Sequence, residues 1–433
     1  MSKPEPVIPT VADWRSRTVG ELTSLLRRGT APVYVDESEV MAIGQRCVTD
    51  ADFDGSRSRP HSAVAMSKVI APELGDVLIN STGTGTIGRS VVFRENGARY
   101  IVDGHVTVAR PRDKDLVGRW LNDILRSPQG QRYLEARCYA GSTNQIELSS
   151  AALAAMPIAV PSVTEQRRVA YVLDTLDGQI RSAELVLSKL RVVRYGLADH
   201  LLAVGVDGDG STRDSREERT AFCETALGWR PRGWRVAPLR EFLASSDYGI
   251  SSSLSDSGRV PVLRMNNFAD GEAKLDDLKY SDGADAARLT LSPGDVLFNR
   301  TNSMEHVGRT GIWRGQLDVV SFASYLVRLV PNERLTNEYL NRLLNLRQTQ
   351  IDLRRWATPG VHQVNVNPTN LRRVVVAVPD SLSEQDRICE ALARHDARIE
   401  HESRVLAKLR CQKAGLLGDL LAGRVRVPEG VAQ

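Results

Sequence analysis

The sequence is poor in the features that mark secreted, membrane-spanning or zinc-binding proteins. Its five cysteines are scattered, odd in number and contain no Cys-x-x-Cys pair: Cys47, Cys138, Cys223, Cys389 and Cys411. This distribution argues against a disulfide framework or a zinc site and favours a reducing compartment. No run approaches the roughly 18 apolar residues of a membrane span, and the start, MSKPEPVIPTVADW, is a polar, proline-rich tail rather than a signal peptide. We therefore expect a cytoplasmic protein without membrane contact.

Groupings typical of enzymes are also scarce. The seven histidines show no metal-ligand spacing, and no Ser-His-Asp or Cys-His grouping stands out. Asp277-Leu278-Lys279 and Glu272-Ala273-Lys274 resemble half of a metal-dependent nuclease site, but neither has a counterpart in the first half or a correctly spaced partner aspartate. Asn367-Pro368-Thr369-Asn370 suggests an amino-methyltransferase loop but lacks the second proline and the stacking aromatic. We therefore expect no catalytic site and no metal site, and predict that the chain itself is not an enzyme.

A glycine-rich loop invites a nucleotide-binding interpretation. Residues 83–88 read Gly-Thr-Gly-Thr-Ile-Gly after a predicted strand, which is a dinucleotide fingerprint only when a helix begins there. The next residues, Arg89-Ser-Val-Val-Phe, form a β-type run instead, and the equivalent segment 302–308 has lost the pattern. The loop is therefore predicted to be a hairpin rather than a nucleotide site.

The composition is that of a soluble globular protein. Charged residues make up 25% and hydrophobic residues 42% of the 433 residues, and this length allows two to three domains with their own cores. The 57 Lys plus Arg exceed the 53 Asp plus Glu by four, giving a pI near 8.8. This mildly basic balance permits a nucleic-acid partner without demanding one.

The chain contains an internal repeat. Residues 165–203 align without a gap onto residues 384–422, an offset of 219, with 16 of 39 positions identical. The repeat extends to Trp14-Arg15 and Trp234-Arg235, to the Gly-Asp-Val-Leu segments at 75–78 and 294–297, and to the Val-Pro pairs at 160–161 and 378–379. An offset of this size in a chain of this length predicts two tandem half-proteins rather than a short-period solenoid.

The most similar segments are predicted to be long helices that pair with each other. Each copy carries apolar residues alternately three and four apart, a heptad seam: Val169, Leu173, Leu176, Ile180, Leu187, Leu190 and Leu197 in the first copy, and Ile388, Leu392, Ile399, Leu406, Leu409 and Leu416 in the second. Ser162 or Thr164 and Ser381 or Ser383 can cap the helices. Arg194 is a basic interruption of the first seam, and His395, Glu402 and Lys413 weaken a self-pair of the second helix. Because each helix must also emerge from an equivalent domain, we expect an antiparallel pair within one chain; a dimer through like helices is the alternative.

A strand-rich block of mixed structure precedes each helix. Helical segments are fewer within these blocks and are predicted over residues 116–125 and 337–353. The predicted fold is α+β, with two tandem mixed, strand-rich domains separated by two long helices that pair as an antiparallel coiled coil, in a pseudo-twofold internal repeat. The predicted boundaries are a first domain at 1–160, a first helix at 161–204, a polar linker at 205–232, a second domain at 233–378 and a second helix at 379–425.

Polar loops at equivalent places in the two halves are the candidate functional sites. Arg suits guanine edges and phosphates, Asn suits adenine, and Ser and Thr suit phosphate oxygens, although Asn and Ser also occupy hairpin turns for backbone reasons alone. The candidates are Gln45, Arg46, Asn80, Ser81, Thr82, Thr84, Arg89, Ser142, Thr143, Asn144 and Gln145 in the first half, and Arg264, Asn266, Asn267, Asn299, Arg300, Thr301, Asn302, Arg309, Thr358 and Gln363 in the second.

With these features the chain resembles the specificity subunit of type I restriction–modification systems. The residues that carry the resemblance are Pro161-x-x-x-Glu165-Gln166-x-Arg168, Pro379-x-x-x-x-Glu384-Gln385-x-Arg387, the Lys-Leu-Arg segments at 189–191 and 408–410, the Gly-Asp-Val-Leu strands and the Trp-Arg openings. No single motif is diagnostic, but the duplicated arrangement, which covers nearly the whole chain, is specific.

The resemblance implies a division of labour between subunits. Each domain would read one half of a split sequence in double-stranded DNA, with the helical pair as a ruler between them. The chain would dock two methyltransferase subunits and the restriction/motor subunits. No cofactor is expected in this chain; S-adenosylmethionine, ATP and Mg²⁺ would bind to the partners. The alternative is a stand-alone or orphan two-headed DNA-binding or scaffold protein without enzyme partners.

Overall fold

A computed structural model describes residues 7, 13–65, 69–95, 99–141, 146–214, 216, 219–360 and 363–431. The chain divides into two compact units. The first unit contains residues 1–184 and 404–433, and the second unit contains residues 185–403. Each unit therefore combines one strand-rich domain with the beginning of the long helix that follows it and the end of the other long helix.

The first half of the chain is built mostly from short strands. The strands are β1 (Arg15–Thr18), β2 (Thr23–Arg28), β3 (Val40–Ile43), β4 (Arg59–His61), β5 (Val77–Asn80), β6 (Ser90–Val92), β7 (Arg99–Val102), β8 (Val106–Pro111), β9 (Tyr139–Ala140), β10 (Glu147–Leu148) and β11 (Pro157–Val160). The helices are α1 (Val19–Leu22), α2 (Gly118–Arg126), α3 (Pro128–Tyr133), α4 (Ser150–Ala154) and the long α5 (Val163–Val204).

The second half repeats this plan. Its strands are β12 (Phe222–Thr225), β13 (Gly228–Pro231), β14 (Trp234–Pro238), β15 (Leu243–Tyr248), β16 (Val260–Leu263), β17 (Phe268–Ala269), β18 (Glu272–Ala273), β19 (Lys279–Ser281), β20 (Val296–Asn299), β21 (Thr301–Asn302), β22 (Thr310–Ile312), β23 (Ser321–Phe322), β24 (Leu326–Pro331), β25 (Thr358–Pro359), β26 (Val364–Asn365) and β27 (Val375–Pro379). Its helices are α6 (Ala284–Arg288), α7 (Asn337–Leu344), α8 (Arg347–Arg355), α9 (Pro368–Leu371) and the long α10 (Leu382–Leu421).

The two domains have equivalent central sheets. In the first, the strand order is β2-β8-β5-β6, and in the second β15-β24-β20-β22 continues into β18 and β17. Alternate residues of the repeated apolar strand point to opposite faces: Val77 and Ile79 join one cluster of buried side chains and Leu78 another. Val296 and Phe298 are separated from Leu297 in the same way. The repeated Gly-Asp-Val-Leu motif is thus the central strand of a sheet that is covered on both faces.

The repeated Trp-Arg and Val-Pro motifs form the strand pair that closes each domain. In the first unit β1 pairs antiparallel with β11, so that Arg15 lies opposite Val160. In the second unit β14 pairs with β27, and Arg235 lies opposite Val378. Each domain therefore begins and ends at neighbouring strands, directly before its long helix.

A buried glutamine fastens the start of each long helix to its domain. The Gln166 amide nitrogen donates to the carbonyl oxygens of Asp115 and Pro161, both at 3.0 Å, and its oxygen accepts from the backbone N–H of Val117 at 2.8 Å. Gln385 makes the same three kinds of bond in the second unit, to residues 334, 379 and 336. Both side chains are fully buried. The glutamine of the repeated Glu-Gln-x-Arg motif therefore has a structural role.

The helix caps agree with the predicted ones. The Ser162 hydroxyl accepts from the backbone N–H of Glu165 at 3.2 Å, and the Ser381 hydroxyl accepts from that of Glu384 at 3.3 Å. Such bonds satisfy backbone donors that have no partner within the helix. Each of the thirteen predicted seam residues is buried or partly buried.

Within the first unit the two helix segments run antiparallel. Asp177 of α5 accepts from Lys413 of α10, and further along α5 Glu184 accepts from Arg410 at 2.6 Å. Asp177 also accepts from Arg119 of α2 at 2.8 Å. The carboxylate of Asp177 therefore connects its own domain with the other long helix.

The second unit contains the equivalent contacts. Asp396 of α10 accepts from Arg342 of α7, and from Arg194 of α5 at 2.6 Å. A ring nitrogen of His395 lies 3.0 Å from the carbonyl oxygen of Leu190. Three of the polar residues that interrupt the apolar seams, Arg194, His395 and Lys413, thus have partners on the facing helix, which confirms the predicted antiparallel pairing.

Two sequence expectations need correction. The single helix expected over residues 337–353 is two helices, α7 and α8, because the Asn345 side chain donates across to the carbonyl oxygen of Thr310 at 2.9 Å and ends α7. The segment predicted as a linker, 205–232, is largely structured: β12 and β13 form an antiparallel hairpin in which Phe222 is buried. Among the residues that the structure describes, no helix is long and apolar enough to cross a membrane.

Candidate nucleic-acid interface

Two buried asparagines shape the equivalent hairpins. The Asn80 side-chain nitrogen donates to the carbonyl oxygen of Gln45 at 3.1 Å, and that of Asn299 donates to the carbonyl oxygen of Met265 at 2.9 Å. Both asparagines are fully buried, so their side chains hold the first two candidate loops together instead of facing a ligand. The glycine-rich segment between β5 and β6 is a hairpin, as predicted, since these strands pair antiparallel.

Other members of the first tip loop are also engaged within the domain. Ser81 is fully buried, with its hydroxyl 2.6 Å from that of Thr107. The Thr82 hydroxyl lies 2.9 Å from a ring nitrogen of His105. Arg89 forms an ion pair with Asp50 at 2.7 Å. Thr84 is exposed at the tip and is free of these constraints on its orientation.

An open cleft of about 740 Å³ lies beside this loop in the first unit. Its lining includes the predicted Gln45 and Arg46. Five further polar or charged residues that the sequence analysis did not select also line it: Tyr34, Arg57, Arg59, Asp103 and His105. Its cationic side chains suit a phosphate backbone. The Arg-x-Arg at 57–59 is the signal that could have identified this wall from the sequence.

The cleft wall is braced around Tyr34. The Arg59 guanidinium lies 3.7 Å from the centroid of the Tyr34 ring, and the Tyr34 hydroxyl donates to Asp103 at 2.9 Å. Partial burial, together with this bond, raises the pKa of Tyr34. The hydroxyl therefore stays protonated at neutral pH and keeps the ring and the guanidinium in a fixed stack.

Three loops converge in the second unit. The Asn365 amide donates to the Thr301 hydroxyl at 2.7 Å, which joins the loop at 358–365 to the tip loop. The Gln363 amide approaches the sulfur of Met265 at 3.9 Å, which joins it to the loop at 264–267. A cleft of about 530 Å³ lies here, lined by Thr301, Thr358, Gln363 and the exposed Tyr325 among others. The structure thus brings together candidates that lie far apart in the sequence.

Three further candidates of the second half bond to residues 276 and 277. Arg264 and Asn266 both donate to Asp277, at 2.7 and 3.3 Å, whereas Asn267 is buried and donates to the carbonyl oxygen of Asp276 at 2.6 Å.

Arg300 lies 5.0 Å from the centroid of the Tyr248 ring, and Asn302 accepts from the backbone of Ser303 at 2.8 Å within the tip turn. Arg309 lines a different cleft, beside Arg354. It is therefore not part of the three-loop cluster.

The third candidate loop of the first half, Ser142, Thr143, Asn144 and Gln145, lies outside the described residues. Its flanking strands β9 and β10 pair antiparallel. The backbone N–H of Leu148 then donates to the carbonyl oxygen of Ser81 at 2.8 Å, just as that of Val366 donates to Arg300 at 2.8 Å in the second unit. Strand β10 is thus bonded to the first tip loop in the same way as residue 366 is bonded to the second.

Comparisons with known proteins give one consistent family. Residues 231–410 match the family model described as type I restriction modification DNA specificity domain. The putative type I restriction enzyme MjaX specificity subunit of Methanocaldococcus jannaschii is 27% identical over 205 residues, which cover 46% of this chain and only 48% of that protein. The match therefore spans about half the length of that relative.

Two further relatives align over most of the chain. The StySPI specificity subunit of Salmonella potsdam is 21% identical, covering 87% of this chain and 80% of that protein. The EcoKI specificity subunit of Escherichia coli K12 is 20% identical, covering 95% of this chain and 89% of that protein.

Solved structures agree in fold. A chain described in work on complex assembly and conformational transition of the type I R-M system has a TM-score of 0.58 at 17% identity, covering 96% of this chain and 99% of that one. The type I restriction–modification S subunit of M. genitalium has a TM-score of 0.56 at 13% identity, covering 96% and 99%. Residues 231–410 thus match a type I restriction modification DNA specificity domain, and the chain as a whole is similar to type I restriction enzyme specificity subunits.

Proposed function

We propose that this chain is the sequence-specific DNA-binding subunit of a type I restriction–modification complex. It reads a split target in double-stranded DNA, with one half-site for each domain, and directs adenine methyltransferase and restriction subunits to that target. The observation that carries this proposal is the duplication of one scaffold with different polar loops. In both units the tip loop is bonded to the same two neighbouring loops.

The division of chemistry between subunits is part of the proposal. We propose that the chain is not itself catalytic, and that S-adenosylmethionine, ATP and Mg²⁺ bind to partner subunits. Asp277 and Lys279, which suggested a nuclease motif in the sequence, are both occupied in other contacts. Asp277 accepts from Arg264 at 2.7 Å, and Lys279 is paired with Asp256.

The long helices offer a surface for the methyltransferase subunits. In the second unit α5 exposes a row of apolar side chains, namely Leu185, Val186, Val192, Val193 and Tyr195. Contiguous exposed apolar side chains mark protein-binding surfaces. We propose that this row is covered by a methyltransferase subunit in the assembled complex, which operates in the cytoplasm.

The adenine-methylation pattern of host DNA tests the function directly. It is measured by methylation sequencing in the host strain, in a strain that lacks this gene, and in the deleted strain carrying the gene again. We expect a split motif that disappears on deletion and returns on complementation. A methylation pattern that is unchanged by deletion, in a host whose methyltransferase gene is expressed, contradicts the proposal and indicates a binding protein without enzyme partners.

A further inference from the structure

At one matched position of the candidate interface the two domains carry opposite charges. Val40 lies opposite His61 in the first domain, and Val260 lies opposite Ser281 in the second, so these hairpins correspond at an offset of 220. The bridge between residues 48 and 53 corresponds at the same offset to the pairing of residues 268 and 273. Neither domain therefore has an insertion relative to the other between these positions and the end of the hairpin. Arg57, a cation in the first cleft, is therefore replaced by Asp277 in the second domain.

Asp277 is built into its loop in an unusual way. Its backbone φ is +54°, in the left-handed region that non-glycine residues rarely adopt. Its carboxylate accepts from the Arg264 guanidinium at 2.7 Å and from the Asn266 amide at 3.3 Å, and its carbonyl oxygen accepts from Arg264 as well. Two candidate DNA-contacting side chains are thus oriented by one strained residue, which is a pattern expected at a functional site.

The residue between these two side chains anchors the loop in the interface. The Met265 carbonyl oxygen accepts from Asn299 at 2.9 Å, and its sulfur lies 3.9 Å from the Gln363 amide. Arg264 and Asn266 therefore flank the point where the three loops of the second unit meet. In the first domain the position equivalent to Arg264 is Gly44, so this arginine is specific to the second domain.

We propose that Asp277 is a positioning residue for base recognition in the second domain, and that Arg264, oriented by it, reads a guanine in the second half-site. The inference rests on the function proposed above. A guanidinium presents two N–H groups to O6 and N7 of guanine in the major groove. Asp277 holds this guanidinium through Nη2, which donates to its carboxylate and to its carbonyl oxygen, and Nη1 carries the two N–H groups that Asp277 does not use. Because the plane of the guanidinium is fixed in this way, less conformational freedom is lost on binding. The Arg264 bond also lowers the pKa of Asp277, so the carboxylate remains charged at neutral pH.

The test is DNA selection with the full-length chain in complex with its methyltransferase subunits, using a pool in which both half-sites are randomised. Four variants are compared with the unchanged chain: Arg264→Ala, Arg264→Lys, Asp277→Asn and Asp277→Gly. Glycine removes the carboxylate and tolerates the left-handed backbone, and asparagine preserves shape without charge. Asp270→Gly is the matched control, because Asp270 is an exposed aspartate of the same domain with the same φ of +54°.

We expect both Arg264 variants to reduce the preference for guanine at one position of one half-site by roughly 10-fold or more. Both Asp277 variants should weaken the preference at that same position, while the other half-site and the Asp270→Gly profile remain unchanged. A normal split motif in every variant overturns this assignment and leaves the proposed function intact. An equal loss of affinity for all sequences also overturns it, because a merely structural role acts in that way. Selection of no split motif by the unchanged chain overturns the proposed function and this inference together.

Discussion

Single buried polar side chains hold this protein's repeated architecture in place. Gln166 and Gln385 are the clearest cases, since each amide satisfies two carbonyl groups and one backbone N–H where a long helix leaves its domain. A buried backbone group without a partner costs about 1–3 kcal/mol. Substitutions of Gln166 and Gln385 should therefore cost more stability than substitutions on the exposed face of the same helices.

Replacement of Gln166 by alanine is expected to lower the free energy of unfolding of the first unit by about 2 kcal/mol or more, because three buried or partly buried backbone groups lose their partner. Urea unfolding followed by tryptophan fluorescence measures the change. Gln179→Ala, at an exposed position of the same helix, is the control and should change the midpoint little. Equal effects of the two substitutions would show that the buried amide does not stabilise the junction.

At the scale of secondary-structure elements, the long helices are aligned by charge as well as by apolar contact. Asp177 and Asp396 occupy equivalent positions, and each bridges a cation of its own domain and a cation of the other long helix. Polar groups in a helical seam set the register at some cost in stability. Arg194 and Lys413 interrupt the apolar pattern for this reason.

The Asp177 contact is expected to make stability depend on pH. Burial alone would raise the pKa of Asp177, but the bonds from Lys413 and Arg119 outweigh it and lower the pKa. The folded state therefore gains stability from this group above the unfolded pKa of about 3.9 and loses it as the pH falls through the lower folded value.

Asp177→Asn should accordingly destabilise the chain by about 1–3 kcal/mol at pH 7, and by progressively less in acid below about pH 4. Urea unfolding at a series of pH values gives the comparison, with Asp199→Asn at an exposed position of α5 as the control. A deficit that stays constant between pH 7 and pH 3 would contradict the ionic origin of the effect.

The apolar seam itself is tested by Leu187→Asp and Leu406→Asp. Both leucines are only 7% exposed, and a charge buried without a partner is strongly unfavourable. Either substitution should unseat the helical pair and abolish binding to a split target or change the spacer that is selected. Ser188→Asp and Ala407→Asp, at the exposed neighbouring positions, are the controls. Unchanged affinity and spacer in the leucine variants would mean that the seam does not determine the spacing.

At the scale of the whole molecule, each unit is assembled from distant parts of the chain. Leu420, Leu421 and Val427 belong to the buried cluster of the first unit, although they lie at the other end of the sequence from Trp14. Leu201, Leu202 and Val206 fill the corresponding place in the second unit. The first unit is thus completed only by residues from the end of the second repeat.

Deletion of residues 405–433 tests this organisation. The first unit loses four buried apolar residues, Leu406, Leu420, Leu421 and Val427, each contributing roughly 1.5–3 kcal/mol, whereas the second unit lies wholly within 185–403. We expect the first domain to become sensitive to protease and the second to resist it, as seen by mass spectrometry of the fragments. Equal sensitivity of both domains would show that the second unit is not independently stable.

Much of this architecture was predictable from the sequence because a repeat records which positions are equivalent. The long helices, their caps and the central strands all follow from apolar periodicity and turn residues. The partners of Arg194 and Lys413 could not be predicted from the sequence, because they depend on the register between two helices. The burial of Asn80 and Asn299 could not be predicted either. An asparagine in a hairpin gives the same sequence pattern whether its amide faces solvent or a neighbouring loop.

The candidate interface shows the same limit. The sequence identified loops that recur in both halves. It did not reveal that Asp277 orients Arg264, and the triplet Asp277-Leu278-Lys279 suggested a nuclease motif instead. Contacts between segments ten or more residues apart along irregular backbone leave no periodic signal. The helix expected over 337–353 failed for a similar reason, since Asn345 ends it through a bond to a distant strand.

The contacts of Glu165 and Glu384, the acidic residues at the starts of the long helices, indicate a change in chain connectivity that the fold should tolerate. In the second unit Arg213, which directly follows a polar turn, donates to Glu384. In the first unit Arg426 pairs with Glu165 and with Asp13, so the two ends of the described chain meet there. The turn at 207–211 therefore does for the second unit what a short linker between residues 431 and 13 would do for the first. A circular permutant that is opened within that turn and joined through such a linker should keep both domains and both long helices.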